Sequence, residues 1–580
     1  MMKVARLPLP FDLSLDLPGS KSHANRAIVA AALAAGETFL KGATPCEDVS
    51  LLAGNLQRMG FDLKWLPSAR DCLRIRGGLP EAAPGAPVEL HCGNAGTTLR
   101  FLTSVACLVP GDWIVTGSGR MCRRPIAELA AALRSLGAKV EDRSGCPPLR
   151  IRGGALRGGE ASLDASRSSQ FLSSLLLVGP ALPAGLRVSL AGPPTSPTYV
   201  ALTEAVLRDF GAVSHRRENQ FEVEGRPYAA PGDYSVEGDW SAAGAYFVLE
   251  ALTGSRFRGT NLVASPGQGD QEVPALLRSL GLEGDRSVDC TSMPDQLMNL
   301  AVFAAFRHGT TTFRGAANLR HKECDRLAVI TEQLGRAGVK ITETPDGVVV
   351  RGPTVPSPAV LDPHDDHRMA MAFAVLGAVA AGIEIRNPDC VRKSYPEFFN
   401  DFGRLGRSPR CIAVVGMRGA GKSTFAADLA QELGLDLVDT DERFTSRHGE
   451  IGPFVAANGW PAFRGLEEQI VAESLAAGRV VALGGGALES ERTRKRLDAV
   501  VVYLEEPAST LIERLQQGSR PALTGLDPEQ ELRAVLARRE PIFRAASTIT
   551  VPPGLTREQR VAYVTGRLRS LCLKQEEESA

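Results

Sequence analysis

Lysine is scarce in this chain: 580 residues hold only 11, against 55 arginines. Where lysine does occur is therefore informative. Excess charge is absent as well, with 66 basic and 66 acidic residues. Residues 409–580 carry 22 basic and 24 acidic side chains, a balance of −2, which leaves +2 for the rest. Neither stretch is a basic arm or an acidic tail, and no basic surplus exists to neutralise a nucleic-acid backbone. The 11 cysteines form no Cys-x-x-Cys pair. That argues against a disulfide framework or a thiolate zinc site and predicts a reducing, cytoplasmic setting. The first twenty residues contain no continuous apolar segment, so no signal peptide is expected. The longest uncharged apolar run, Met369–Ile383, has 15 residues, short of the ~20 that a membrane span needs; it reads as a buried helix. What is present is ordinary for folded α/β chains: 44% hydrophobic and 23% charged residues, with a length suited to about three to five domains.

A weak repeat runs through the first 400 residues. Amphipathic stretches end at glycine six times: Leu51–Met59, Leu129–Leu136, Leu202–Phe210, Val273–Leu280, Ile330–Ala337 and Phe398–Leu405, before Gly60, Gly137, Gly211, Gly281, Gly338 and Gly406. Glycine is the usual residue just past a helix end. After four of them comes a strand-like string closing on glycine: LRIRGG (73–78), LRIRGG (149–154), FEVEG (221–225) and VVVRG (348–352). The spacing is too long for common solenoid repeats and predicts six α/β modules. The pattern stops at Gly406, and GRSPR (406–410) leads into a new one, placing a domain boundary near Arg407.

The new pattern is a buried strand, CIAVVG (411–416), running into Gly-Met-Arg-Gly-Ala-Gly-Lys-Ser (416–423). This is the G-x-x-x-x-G-K-[ST] loop, whose backbone N–H groups turn inward around phosphates. Lys422 reaches the terminal phosphates of the nucleotide and Ser423 offers an oxygen to Mg²⁺. The ATP set is Gly419, Ala420, Gly421, Lys422, Ser423 and Thr424. Beyond it come Asp439-Thr440-Asp441, read as an extended segment with both carboxylates on one side. Then follow Phe463-Arg464 with Glu467 a helical turn on, Gly484-Gly485-Gly486 after the strand VVAL (480–483), Arg520-Pro521 in a glycine-rich lid, and Arg538-Arg539 at a helix end. With those six motifs in order, residues 410–573 resemble shikimate kinase. The resemblance implies that Asp441, Arg464, Arg539 and Gly484–Gly486 hold shikimate, the arginines gripping its carboxylate. It further implies that Asp441 orients the acceptor hydroxyl, that Asp439 joins Ser423 at Mg²⁺, and that Arg520 closes over the transferring phosphoryl. Another small-molecule kinase, such as gluconate kinase, is disfavoured by the Asp-Thr-Asp, Phe-Arg and triple-glycine set.

Four of the eleven lysines (21, 322, 393, 422) fall in short polar strings. Lys21, Ser22 and Arg26 open a helix, and Asn94 to Arg100 form a second loop into a helix. Arg120 and Arg124 lie in a third cationic cluster. Lys322 and Arg326 are four apart, predicting one helix face with Glu323 beside them. Asp366-His367-Arg368 and Lys393 complete the set. Separated cationic loops in a neutral chain point to convergence on a small, highly anionic ligand set. His364 and His367 as a metal pair is a weak alternative, with no further ligands clustered nearby.

Residues 1–407 resemble the EPSP synthase family, through LPGSKSHANRA, GNAGTTLR, RMCRRPI, SSQFL, VEGDWSAA, MPDQLMNLAVFA, NLRHKECDRL, DDHRMAM and CVRKSYPEFF. The resemblance implies an α/β fold of two lobes built from six βαβαββ units. Lobe one is expected at roughly 1–17 plus 238–407 and lobe two at 18–237. A P-loop kinase domain with a parallel sheet follows at 408–580. It implies shikimate 3-phosphate contacts from Lys21, Ser22, Arg26, Ser168, Ser169, Gln170, Ser196, Tyr199, Asp295, Asn318 and Lys322. It implies phosphoenolpyruvate contacts from Lys21, Asn94, Gly96, Arg124, Arg326, Arg368 and Lys393. Asp295 is the implied base, with Glu323 and Lys21 as alternative proton donors. Two departures stand out: Ser196-Pro-Thr-Tyr199 moves the family's proline, and Phe101 replaces a proline. The related UDP-N-acetylglucosamine transferases carry a reactive cysteine where this chain has Gly119. The expectation is a two-activity enzyme of aromatic biosynthesis, using Mg²⁺ with ATP in the kinase part, no cofactor in the synthase part, and small-molecule partners without nucleic acid or membrane.

Overall fold

The computed structural model describes residues 1–67, 71–81, 85–264, 267–407, 409–516 and 527–571. Arg520 and the predicted lid lie outside the described residues. The chain divides into two compact units. The first holds Met1–Arg6, Ser14–Ala251 and Arg258–Asp401; the second holds Leu7–Leu13, Leu252–Phe257 and Phe402–Ala580.

The first unit repeats one four-stranded sheet four times. Gly232–Ser235, Gly36–Lys41, Cys72–Gly77 and Asp62–Trp65 form one copy. Val88–His91, Asp112–Thr116, Cys146–Arg152 and Lys139–Arg143 form the next. Gly159–Leu163, Leu186–Leu190, Gln220–Val223 and Ser214–Arg217 make the third, and Arg286–Asp289, Gly309–Arg314, Gly347–Gly352 and Lys340–Thr344 the fourth. In each, the first pair is parallel and the next two antiparallel. The glycine-ending strings occupy the third strand every time. Their shared glycine has a steric cause: a Cβ on Gly77 would lie 2.1 Å from the Ala31 carbonyl oxygen, and one on Gly153 1.9 Å from that of Val109. Strand end and helix end meet there with no room for a side chain.

The sixth module departs from the expectation. Its helix is only Phe398–Phe402, followed by a 3₁₀ turn at Leu405–Arg407, and Gly406 does not take the positive φ of Gly60, Gly137, Gly211, Gly281 and Gly338. Strands Ala359–Leu361 and Ile383–Ile385 are instead joined by Met2–Lys3 from the start of the chain. The run Met369–Ile383 is also not one helix. The helix is His367–Val379, and Ile383 begins a strand.

Helices Lys21–Leu33, Gly96–Leu108 and Ser169–Val178 are buried over nearly their whole length and form the centre of one apolar core. A helix that is apolar all round sits inside, and only its end is left for polar work. All three aim their N-terminal residues into the cleft described below.

The second unit carries a five-stranded, all-parallel sheet in the order Asp436–Asp439, Arg479–Ala482, Ile412–Gly416, Val500–Leu504, Ile549–Val551. The central strand has five buried residues, as a strand covered on both faces requires.

Candidate active sites

The first unit contains a cleft walled by polar and charged side chains. Lys21, Ser22, Gly96, Arg124, Ser168, Ser169, Gln170, Ser196, Tyr199, Asp295, Asn318, Lys322, Glu323, Arg326 and Arg368 line it. Asp295 is the hub. Its Oδ1 meets Arg326 Nη1 at 2.8 Å and Lys322 Nζ at 3.4 Å; its Oδ2 meets Arg368 Nη2 at 3.1 Å and accepts from the Tyr199 hydroxyl at 3.3 Å. Arg326 also donates to Asp366 through Nε (2.6 Å) and Nη2 (3.1 Å), and to Glu323 at 3.0 Å. Asp366 caps the helix at His367 by accepting from Arg368 N–H at 2.9 Å. One guanidinium thus ties the base candidate, a proton-donor candidate and the segment that carries Arg368.

Burial pushes the Asp295 carboxyl up, but Arg368, Lys322 and Arg326 outweigh it and hold it well below the carboxylate range. Glu323 is held down in the same way by Arg326, Lys393 and Arg124 against burial. For Lys21, burial pulls the pKa down, yet Asp48 and Glu323 raise it above the usual lysine value. Burial lowers Lys322 despite the neighbouring Asp295.

Two predicted residues act from behind the cleft wall. Arg26 is 1% exposed, and its guanidinium donates to the Ser22 and Tyr199 carbonyls and to the Thr203 and Ser173 hydroxyls. Lys393 is buried, donating to Asp48 at 2.7 Å and to the Asn94 carbonyl at 2.9 Å. The Asn94 carbonyl also accepts from Arg124 Nη1 at 3.4 Å. Gly96 has a clear reason to lack a side chain: a Cβ would sit 2.6 Å from Arg124 Nη2. Ser196 adopts φ 50°, rare for serine, and its hydroxyl accepts from Asn318.

In the second unit Gly419 and Gly421 both have φ 84°, and the helix Lys422–Leu433 starts at the loop. Within the loop Ala420 is buried, while Ser423 and Thr424 are exposed beyond Lys422. Asp439 ends a strand and caps the helix Thr440–His448, its Oδ1 accepting from Asp441 N–H (2.9 Å) and Glu442 N–H (3.2 Å). That cap fixes its carboxylate. Asp439 and Ser423 offer hard oxygen donors only, which fits Mg²⁺ with phosphate and water completing the shell. Glycines 484 and 486 make room for charge: a Cβ on Gly484 would lie 2.7 Å from Asp441 Oδ1, and one on Gly486 2.2 Å from Arg464 Nη2. Gly485 sits between, 3.8 Å from Arg539 Nη1 by the same measure. Arg464 pairs with Glu467 at 2.5 Å, and Arg539 with Glu489 at 3.1 Å.

Comparison with known families decides the assignment. The EPSP synthase (3-phosphoshikimate 1-carboxyvinyltransferase) family model matches residues 10–402, and the shikimate kinase family model matches 418–568. The chain belongs to the EPSP synthase family. It carries a shikimate kinase domain behind that part. A 3-phosphoshikimate 1-carboxyvinyltransferase of Methanoculleus marisnigri is 40% identical over 410 residues, covering 67% of this chain and 96% of that protein. The pentafunctional AROM polypeptide of Yarrowia lipolytica is 32% identical over 594 residues, covering 92% of this chain and 38% of that protein. An EPSP synthase structure from Acinetobacter baumannii matches with TM-score 0.57 at 25% identity, over 70% of this chain and 98% of that one.

Three local readings of the synthase and kinase motifs are corrected. Lys322 and Arg326 do not share a helix face in the EPSP synthase part: Asp325 caps the helix by accepting from Ala328 N–H, so the helix begins at Arg326 and Lys322 precedes it. They converge on Asp295 all the same. In the kinase domain Asp441 is in the first turn of a helix and not in a strand. Arg538 and Arg539 lie inside the helix Pro528–Ala546, because Pro541 does not end it. Sequence reasoning missed Asp48, Arg100, Arg167 and Thr97, which line the EPSP synthase cleft, and Glu489 in the kinase domain. Asp48 sits in an unremarkable amphipathic helix, with no motif around it. Arg100 stands inside the GNAGTTLR string, which assigns it no role; it donates to Gln170.

Among the described residues no helix is long and apolar enough to cross a membrane.

Proposed function

We propose that residues 408–580 phosphorylate shikimate with ATP and that residues 1–407, as two lobes (1–17 plus 238–407, and 18–237), convert the product. The synthase part transfers enolpyruvyl from phosphoenolpyruvate to shikimate 3-phosphate, giving EPSP and phosphate. The observation that carries this reading is the convergence on Asp295 of three cations from two separate strings, beside Lys21 and Arg124. Two multiply charged substrates need such a field, and their reacting groups need one carboxylate inside it.

Asp295, kept ionised, accepts the proton of the substrate's 5-hydroxyl as its oxygen bonds to the enol carbon. The entering anions compete for Arg368 and Lys322, which raises the basicity of Asp295 at that moment. Lys21, kept protonated by Asp48 and Glu323, gives the proton to the methylene carbon. Of the two donor candidates, Glu323 is already ionised by its arginines. In the second half the same groups reverse roles: a methyl proton leaves, the carbon–oxygen bond to phosphate breaks, and the double bond is restored.

In the kinase part Lys422 and the loop N–H groups hold the ATP phosphates. Asp441 orients the acceptor hydroxyl, Arg464 and Arg539 grip the carboxylate, and Gly484–Gly486 let them approach. Bound Mg²⁺ would neutralise phosphate charge, with Ser423 and Asp439 holding it. Arg520 is assigned to the transferring phosphoryl by resemblance alone. The ten described cysteines are all unpaired, which supports a reducing cytoplasm.

The test is a coupled assay with shikimate, ATP, Mg²⁺ and phosphoenolpyruvate. Lys422→Ala stops EPSP formation from shikimate while leaving formation from shikimate 3-phosphate in place. Loss of both in a folded variant refutes the reading of two separate sites.

A further inference from the structure

The kinase domain holds a carboxylate where its substrate's carboxylate is expected. Glu489 lies at the end of the turn Ala487–Glu489, its N–H donating to the Gly486 carbonyl at 3.0 Å. Three guanidinium groups face it. Arg539 Nη2 is 3.1 Å and Arg464 Nη2 3.6 Å from the same oxygen, Oε2, while Arg538 Nη2 is 2.5 Å from Oε1. Arg539 is 5% exposed, and its Nε meets no acceptor among the described residues. Arg464 is braced from behind by Glu467 and lies against the rings of Trp460 and Phe463, each 5.4 Å away. Two guanidinium groups sharing one carboxylate oxygen make a carboxylate site, and in the free domain it is filled from inside the chain.

We propose that Glu489 is an internal competitor for shikimate's carboxylate: it neutralises Arg464 and Arg539 in the free kinase domain and yields them on substrate binding. This rests on the reading of those two arginines as the grip for the substrate. The contact keeps two cations compatible with folding and excludes stray anions. Its consequence is a weaker intrinsic affinity for shikimate, because binding must first break the internal pair. Arginines 539 and 538 hold Glu489 ionised against the upward push of burial, so the competitor is charged at neutral pH.

The experiment is shikimate binding and steady-state kinetics of the full chain carrying Glu489→Gln, which keeps shape and removes charge. Dissociation constant and KM for shikimate fall roughly two- to fivefold, the scale of one partly exposed ion pair. Affinity for the neutral amide analogue of shikimate does not improve. A value for shikimate that is unchanged or higher overturns the proposal, as does equal tightening for the amide, which marks a general packing effect. If the glutamine variant does not fold, Glu489→Asp retains charge but draws back by one methylene, and the same direction is expected. Arg539→Lys separates the two readings. If it leaves shikimate KM unmoved, the grip itself is wrong; if it raises KM while Glu489→Gln does not lower it, only the competitor is wrong.

Discussion

The synthase cleft and the phosphate loop of the kinase domain offer opposite means of holding an anion. The synthase cleft uses buried side-chain cations that share carboxylates: Lys21 and Lys393 on Asp48, and Lys322, Arg326 and Arg368 on Asp295. The phosphate loop of the kinase domain uses peptide N–H groups arranged by Gly419 and Gly421 at a helix start. A buried cation left without counter-charge or hydrogen-bond acceptors costs several kcal/mol, so these need internal partners. A peptide is neutral, so a loop of N–H groups needs none. The first design yields a network in which every member depends on the others. The second yields a local motif that reads directly from a few residues.

The largest expected effect breaks the network at its most connected member. Arg326→Met leaves Asp295, Glu323 and Asp366 without their shared partner. EPSP formation falls by on the order of a thousandfold, and the synthase part loses about 3–5 kcal/mol of stability. Phosphorylation of shikimate by the same protein persists. Matching losses in both activities would contradict the separation of the two designs.

Next in size are alanines at the close-approach glycines. Gly96→Ala places a methyl against Arg124 and Gly486→Ala one against Arg464. Arg124 is buried and has nowhere to turn, so KM for phosphoenolpyruvate rises by about a hundredfold. Arg464 is partly exposed and can rotate outward, so KM for shikimate rises only about tenfold. Steady-state kinetics on both variants checks the order; a reversed order would mean that burial does not set the penalty.

The same contrast explains what could be read from the residues alone. The phosphate loop, the triple glycine and the polar strings of the cleft are visible because chemistry fixes their spacing. The four repeated sheets show through because helix ends press on one glycine in each. Asp48 was invisible: it is one acid in an amphipathic helix, and only the tertiary arrangement brings Lys393 to it from 345 positions away. Glu489 was hidden for a similar reason, as Arg538 and Arg539 approach it from a helix about fifty residues on. Lys322 and Arg326 misled through their spacing, because Asp325 between them is a better helix cap than a helix residue.

The smallest effect concerns a further buried carboxylate, Asp270. Asp270 is buried and its carboxyl is raised to about 6 by burial, with Arg368 pulling it down and Asp295 and Asp239 pushing it up. The Ser241 hydroxyl donates to it. A carboxyl whose folded pKa lies above its unfolded value near 4 stabilises the fold fully below that lower value, and the contribution disappears as pH rises through about 6. Asp295 and Glu323 run the other way, their stabilisation present above the unfolded carboxylate range and lost as pH falls. Asp270→Asn keeps an acceptor for Ser241 and removes only the first dependence. Its thermal midpoint relative to the unchanged protein should therefore be higher at pH 7.5 than at pH 4.5, by about 2–4 °C. An equal difference at both values would show that Asp270 is ionised throughout, and that the cations of the cleft neutralise it as completely as they do Asp295.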